Sequence, residues 1–256
     1  MDLAPGATAA GVRLTACDTV GSTNAEALRC ARAGKKGPLW ITARMQTAGR
    51  GRRGRTWISE PGNLYATLLL TDPTPSARAA QLSFVAALAV HDAITQLAPA
   101  LAPRLALKWP NDVLCGGRKA AGILIEAEGS TPLIVAIGIG VNCRHHPEGT
   151  EYPATDLATA GADVNAEQLF TALSGTMMGR LREWEAGFAS IRIEWLRRAA
   201  GLGGDLRVRL GSREVSGRFE ALDESGRLML RRPDGTLETI PAGEVFPSDA
   251  AVTAED

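Results

Sequence analysis

Residues 46–57, Gln-Thr-Ala-Gly-Arg-Gly-Arg-Arg-Gly-Arg-Thr-Trp, restrict what this chain can fold into more than any other stretch. Arg50, Arg52, Arg53 and Arg55 are interleaved with Gly49, Gly51 and Gly54, and Trp57 closes the run. Neither a helix nor a strand interior accommodates it, because the glycines carry a large backbone-entropy cost there and the like charges repel. It must be a loop, and its N–H groups and guanidinium forks suit it to closing around a polyanion. Residues 39–45 and 63–70 read as strands, so the loop has held ends and a free middle. By itself such a run serves equally as a solvated basic loop or as an arginine-rich nucleic-acid or targeting segment.

Composition narrows this. The chain of 256 residues balances 28 Lys+Arg against 28 Asp+Glu, so it lacks the global basic excess of a general nucleic-acid binder. Positive charge is concentrated locally, as a phosphate site requires. A hydrophobic fraction of 45% with 22% charged residues is that of a globular protein with a substantial core. No apolar run approaches the roughly 20 residues of a membrane span, and the start lacks the pattern of a secretory signal. Cys17, Cys30, Cys115 and Cys143 form no C-x-x-C and read as reduced packing residues of a cytoplasmic protein. His91 falls in a helical pattern, and His145-His146 is a poor metal signal.

In chain order, 12–17 alternates like a strand. Thr23 with Glu26 forms a capping-box pattern for a helix over 25–33. A turn is expected over 72–76 and a helix over 78–97, with Leu82, Val85, Ala89 and Leu97 near one face. Strands follow at 105–108 and 113–115, then a Gly116-Gly117 hairpin turn and strands at 123–126 and 133–142. Residues 143–165 are a connection rich in Pro, Gly and Thr, and helices are predicted over 166–185 and 188–199. After Gly201-Leu-Gly-Gly204 the pattern changes to short strands at 206–210, 213–222, 227–232 and 237–240, a compact all-β unit. Residues 248–256 read as a disordered tail.

Four features stand in order: the 46–57 loop, Lys108-Trp-Pro-Asn-Asp112, Lys119-Ala-Ala-Gly-Ile-Leu-Ile-Glu126 and Gly138-Ile-Gly-Val-Asn142. With Ser22-Thr23-Asn24, they resemble the biotin protein ligases (biotin–[acetyl-CoA-carboxylase] ligases) over about residues 12–247. The resemblance implies an α+β fold: a mixed β-sheet catalytic domain flanked by helices, class II synthetase-like and shared with lipoate ligases, followed by a small C-terminal SH3-like β-barrel. The expected units are 1–202 for the catalytic domain, 203–247 for the barrel and 248–256 for the tail. About ten residues precede the first strand, which resembles the ligase-only class without a DNA-binding helix-turn-helix domain.

The resemblance further implies ATP and biotin as substrates, Mg²⁺, and a biotin carboxyl carrier domain as acceptor, with neither DNA nor membrane as partner. A sheet edge could pair a homodimer or dock the acceptor. Arg50, Arg52, Lys108, Asp112 and Lys119 are expected to be catalytic, with Asp112 carrying Mg²⁺ or orienting the acceptor amine. Biotin is expected to contact Ser22, Thr23, Asn24 and Gln46, the loop residues Gly49, Arg50, Gly51 and Arg52, and Lys119. Gly122, Gly138 and Gly140 would give it room. Arg53, Arg55, Trp57, Lys108 and Asn142 are expected at ATP, with Trp57 stacked on adenine. Two other readings are a lipoate or octanoate protein ligase and a non-enzymatic arginine-rich nucleic-acid binder.

Overall fold

Aliphatic and β-branched runs become strands, and two kinds of connection between them decide where a ligand can reach the sheet. The computed structural model describes residues 1–72 and 76–247. The expected tail over 248–256, and most of the turn over 72–76, lie outside the described residues. Among these, seven strands form one sheet: β1 (Arg13–Val20), β2 (Leu39–Gln46), β3 (Leu64–Thr71), β4 (Leu105–Lys108), β5 (Asp112–Cys115), β6 (Arg118–Glu128) and β7 (Ile134–Val141). Their spatial order is β1-β2-β3-β7-β6-β5-β4. Only the β1–β2 pair is parallel, joined by α2 (Thr23–Arg32), so the sheet is mixed. The β5–β6 hairpin turns on Gly116 (φ 56°) and Gly117 (φ 72°), where two successive positive φ angles require residues without a Cβ.

Helices α4 (Leu82–Leu97), α5 (Ala166–Ala186) and α6 (Phe188–Leu196) build the main core with the sheet. The single apolar face expected of the 78–97 helix understates its burial. Leu82, Val85 and Ala89 are fully buried, but so are Ala86, Leu88, Val90 and Ile94 around the rest of the cylinder, whereas Leu97 is exposed. The helix is covered by the sheet on one side and by α5 and α6 on the other. It also begins later than expected, after a separate short helix, α3 (Ser76–Ala79). Helix α5 starts on a true capping box, in which Asn165 accepts from the Gln168 N–H and Gln168 accepts from the Asn165 N–H. A short α1 (Pro5–Ala9), not foreseen from sequence, packs on α5.

On the other face α2 covers only one end, over a small cluster of Ala27, Leu28, Cys30, Leu39, Ile41, Leu69 and Ala136. The remainder of that face carries the candidate site. The terminal unit is a five-stranded antiparallel sheet, β8 (Asp205–Leu210), β9 (Arg213–Leu222), β10 (Leu228–Arg231), β11 (Leu237–Ile240) and β12 (Glu244–Pro247), ordered β11-β10-β9-β8-β12. Strand β12, four residues long, was not foreseen. No helix among the described residues is long and apolar enough to cross a membrane, and no group of three or more His, Cys, Asp or Glu gathers as a metal cluster among them.

Candidate functional site

The floor of the site is set by strand register. Gly122 on β6 lies opposite Gly140 on β7, and Leu124 opposite Gly138. Alternation puts Gly138, Gly140 and Asn142 on one face. A Cβ at Gly140 would lie 2.6 Å from the Trp57 indole, and one at Gly138 would lie 2.4 Å from Asn24 Oδ1. The space above these two glycines is taken by the Trp57 ring and the Asn24 amide, and both glycines also line the cavity. Trp57 is a platform laid on the sheet, and its upper surface faces the cavity. We expect Gly140→Ala to lower stability by about 1–3 kcal/mol, because overpacking has no free volume to use. A Trp57→Ala/Gly140→Ala double variant should be no less stable than Trp57→Ala alone. Urea denaturation reads both; an undiminished midpoint for Gly140→Ala would contradict the packing.

The N-terminus of α2 is organised differently from the capping box expected there. Ser22 is the N-cap residue but makes no side-chain cap bond, and Thr23 is already helical. The Thr23 N–H and hydroxyl point instead to Gln46 Oε1, at 2.8 and 3.1 Å. Glu26 turns outward to Arg29. Gln46, at the end of β2, takes over the cap and donates to Ser59 Oγ at 2.9 Å. Thr67 on β3, fully buried, donates to Asn24 Oδ1 at 2.7 Å, and the Asn24 amide donates to Glu126 Oε2 at 2.7 Å. A hydroxyl-and-amide cluster results, held by bonds to the sheet and open on one side to the cavity.

The cationic wall rests on Asp112. Its Oδ2 lies 2.9 Å from Lys108 Nζ and its Oδ1 2.6 Å from Lys119 Nζ. Burial would push this carboxyl up, but the two ammonium groups outweigh it and hold the pKa below the ordinary carboxylate range. Lys108 is buried, with its ammonium 4.4 Å from the centroid of the Tyr152 ring, and Lys119 stands 5.4 Å from that of Trp57. Backbone bonds clamp Lys119 as well: its N–H donates to Pro153 O at 2.8 Å, and its carbonyl accepts from Thr155 N at 2.9 Å. The 143–165 connection thus runs beside the first residues of β6.

The arginine loop folds back on itself. Arg50 and Thr56 form an isolated bridge, Gly51 N donates to Arg55 O at 2.7 Å, and residues Arg52–Gly54 make a 3-10 turn. The mutual repulsion anticipated from sequence is relieved by carboxylates. Arg50 pairs with Glu126 at 3.2 Å, and both Arg53 and Arg55 pair with Glu244 of β12. Arg52 donates to Asn111 Oδ1 at 3.0 Å; burial pulls its pKa down, partly offset by Asp112 and Glu244. The pairs to Glu126 and Glu244 are partly exposed, worth about 0.2–1 kcal/mol each. An incoming phosphate can therefore take the arginines over at small cost.

One cavity of about 430 Å³ gathers every candidate residue except Gly49. Gly49 is buried behind the wall, where a Cβ would meet Ser59 Oγ and Trp57 O at 2.5 Å, so it shapes the loop from outside the cavity. Asn142 is buried at the cavity wall with its amide donating to Thr155 O at 3.0 Å. The structure adds lining or supporting residues to which the sequence reading gave no role: Asn111, Tyr152, Glu244 and Phe246 at the cavity, and Thr67, Ser59 and Glu126 beneath it. Asn111 and Glu126 stood in quoted motifs without a role. His146 pairs with Asp156 (2.5 Å) away from the cluster of lysines and arginines.

Against known proteins, residues 18–142 match the Biotin/lipoate A/B protein ligase family, the class that this sheet and cavity define, and residues 204–246 match the Biotin protein ligase C terminal domain. The chain is 47% identical over 238 residues, 88% of its length and 96% of the relative's, to a biotin–[acetyl-CoA-carboxylase] ligase of Paracoccus denitrificans. Its fold is similar to that of a biotin protein ligase from Aquifex aeolicus in complex with biotin and ATP (TM-score 0.77, 28% identity, covering 91% of this chain and 97% of that one). A Leishmania major biotin protein ligase in complex with biotinyl-5-AMP gives a TM-score of 0.66 at 28% identity, covering 90% and 99%. The chain belongs to the biotin protein ligase family.

Proposed function

We infer that this protein is an enzyme that uses ATP to attach biotin to a lysine of a carrier domain such as that of acetyl-CoA carboxylase. The observation that carries this reading is the meeting, in one cavity, of an uncharged hydroxyl-and-amide cluster with a wall of two lysines and four arginines. The cluster suits a ureido ring, which needs donors and acceptors without charge, and the wall suits a carboxylate beside a triphosphate.

In the first step the biotin carboxylate oxygen attacks the α-phosphorus, forming the mixed anhydride biotinyl-5′-AMP as the bond to pyrophosphate breaks. Two anions must approach, so positioning and charge neutralisation dominate the barrier. Arg50, Arg52 and Lys119 are assigned to the carboxylate–phosphate junction, and Arg53 and Arg55 to the departing phosphates. Trp57 offers its ring to adenine and Asn142 its amide to the nucleotide. In the second step a lysine amine of the carrier attacks the anhydride carbonyl; the amide forms, AMP leaves and the amine loses a proton. Asp112, held ionised between two ammonium groups, is a poor base for that proton and serves to fix Lys108 and Lys119.

Asp112 does not fit as a protein ligand for Mg²⁺. Its Oδ1 accepts no aligned hydrogen bond, yet the Lys119 ammonium 2.6 Å away already supplies its counter-charge and would repel a divalent ion. We take any Mg²⁺ to enter as part of the nucleotide substrate. Residues 1–202 are taken as the catalytic unit and 203–247 as its terminal unit, which contributes Glu244 and Phe246 to the cavity wall. The cytoplasm, where ATP and carboxylases meet, is the compartment this activity requires.

Incubation with biotin, ATP, Mg²⁺ and a biotin carrier domain should raise the carrier's mass by one biotinyl group. A carrier modified only when lipoate replaces biotin would overturn the assignment in favour of a lipoate ligase.

A further inference from the structure

A continuous path of polar contacts begins and ends in the arginine loop and passes under the cavity. From Arg50 it runs to Glu126 Oε1 (3.2 Å) and from Glu126 Oε2 to the Asn24 amide nitrogen (2.7 Å). Asn24 Oδ1 accepts from Thr67 Oγ1 (2.7 Å), which lies 2.8 Å from Thr23 Oγ1. Thr23 meets Gln46, Gln46 donates to Ser59 Oγ, and Ser59 donates to Trp57 O at 2.9 Å.

Proton accounting shows which link sets the others. Thr67 has one hydroxyl proton, and a carbonyl can only accept, so it goes to Asn24 Oδ1. The Thr23 proton is then left with two acceptors, Thr67 Oγ1 and Gln46 Oε1, and can turn to either. The orientation of Asn24 has no such freedom. Neither a carboxylate nor a carbonyl can donate, so Glu126 (2.7 Å) and the Leu124 carbonyl (3.3 Å) both require the NH₂ end of the amide and leave the oxygen to Thr67. Asn24 is 3% exposed, so reversing this amide would leave a buried oxygen facing the carboxylate. Glu126 is also the only carboxylate that Arg50 meets among the described residues.

We propose that Glu126 is a positioning residue that couples the hydroxyl-and-amide cluster to the arginine loop, so that biotin in the cluster prepares Arg50 for the nucleotide. This rests on the function proposed above. One carboxylate takes the shorter of the two hydrogen bonds from a buried amide of the biotin side, the other going to Leu124 O, and anchors the first loop arginine of the phosphate side. A change in the hydrogen bonding of Asn24 redistributes charge on Glu126 and alters its hold on Arg50. Linkage makes the effect reciprocal: nucleotide drawing Arg50 away must alter biotin affinity by the same factor.

The test is isothermal titration of the full-length protein with a non-hydrolysable ATP analogue, with and without saturating biotin, for wild type, Glu126→Gln and Glu126→Asp. Glutamine can still accept from Asn24 but presents no charge to Arg50. We expect biotin to tighten analogue binding in the wild type by about fivefold or more, and by under about twofold in Glu126→Gln. Glu126→Asp, which restores the charge, should recover part of the coupling. A purely structural role would weaken both ligands and leave their ratio unchanged; that result, or wild-type coupling in Glu126→Gln, overturns the proposal. If Glu126→Gln does not fold, loss of coupling in Glu126→Asp relative to wild type supports the proposal and full coupling overturns it. A wild type that binds no biotin at all instead defeats the functional assignment.

Discussion

Replacing Lys119 by Ala should slow biotin-dependent pyrophosphate release by about 10²–10³-fold, the loss typical of removing one preorganised group aimed at developing charge. The ammonium stands on the cavity wall, 2.6 Å from Asp112 and over the Trp57 platform, with its backbone clamped on both sides. Its removal leaves Asp112 paired with Lys108 but its buried Oδ1 without a partner, so a stability loss of about 1–3 kcal/mol is expected. Lys119→Arg would retain the charge but spread it over a planar fork, and should recover only part of the rate. Pyrophosphate release at wild-type rates in a folded Lys119→Ala protein would remove Lys119 from the chemistry.

Asp112→Ala is expected to act on stability and activity together. It leaves the Lys108 ammonium buried beside the Tyr152 ring without a counter-charge among the described residues, and breaking a buried pair in this way costs about 3–5 kcal/mol. A urea midpoint shifted by less than the equivalent of about 1 kcal/mol would show that the pairing does not hold the lysines. The pH dependence has a definite sign. The folded pKa of Asp112 lies below its unfolded value, so its stabilisation is complete above the ordinary carboxylate range. It is lost as pH falls from that range through the folded value. The difference in stability between wild type and Asp112→Asn should accordingly narrow on acidification below about pH 4.

The residues legible in the sequence were those whose chemistry is odd for their local structure. Arginines among glycines, a lysine after a hairpin turn and glycines within a buried strand all call for a ligand, and all but Gly49 reach the cavity. Glu126 was passed over because a carboxylate at a strand position reads as solvent-facing, and Glu244 because its strand was not foreseen; their partners are 76 and 191 residues away. Thr67 looked like ordinary strand filling, and only the register Thr67↔Gly138 brings it under Asn24. The expected capping box at Thr23 failed for the same reason, since Gln46, 23 residues on, competes for the N–H that a local cap would have taken. Periodicity recovered most strands but not β12, a four-residue segment held by its pairing with β8, and could not show that α4 is covered on both sides. Long-range partners decide these outcomes, and a local pattern does not contain them.

The clamp that residues 153 and 155 place on Lys119 has a consequence for how this family can vary. Its two bonds join main chain to main chain, so they do not depend on which side chains the segment carries. Insertions or deletions within the exposed turn at 148–151 leave the Lys119 main chain where it is, because the chain is back in register at residues 153 and 155, where it meets the lysine. The rim can change in length without moving the main chain that carries the lysine.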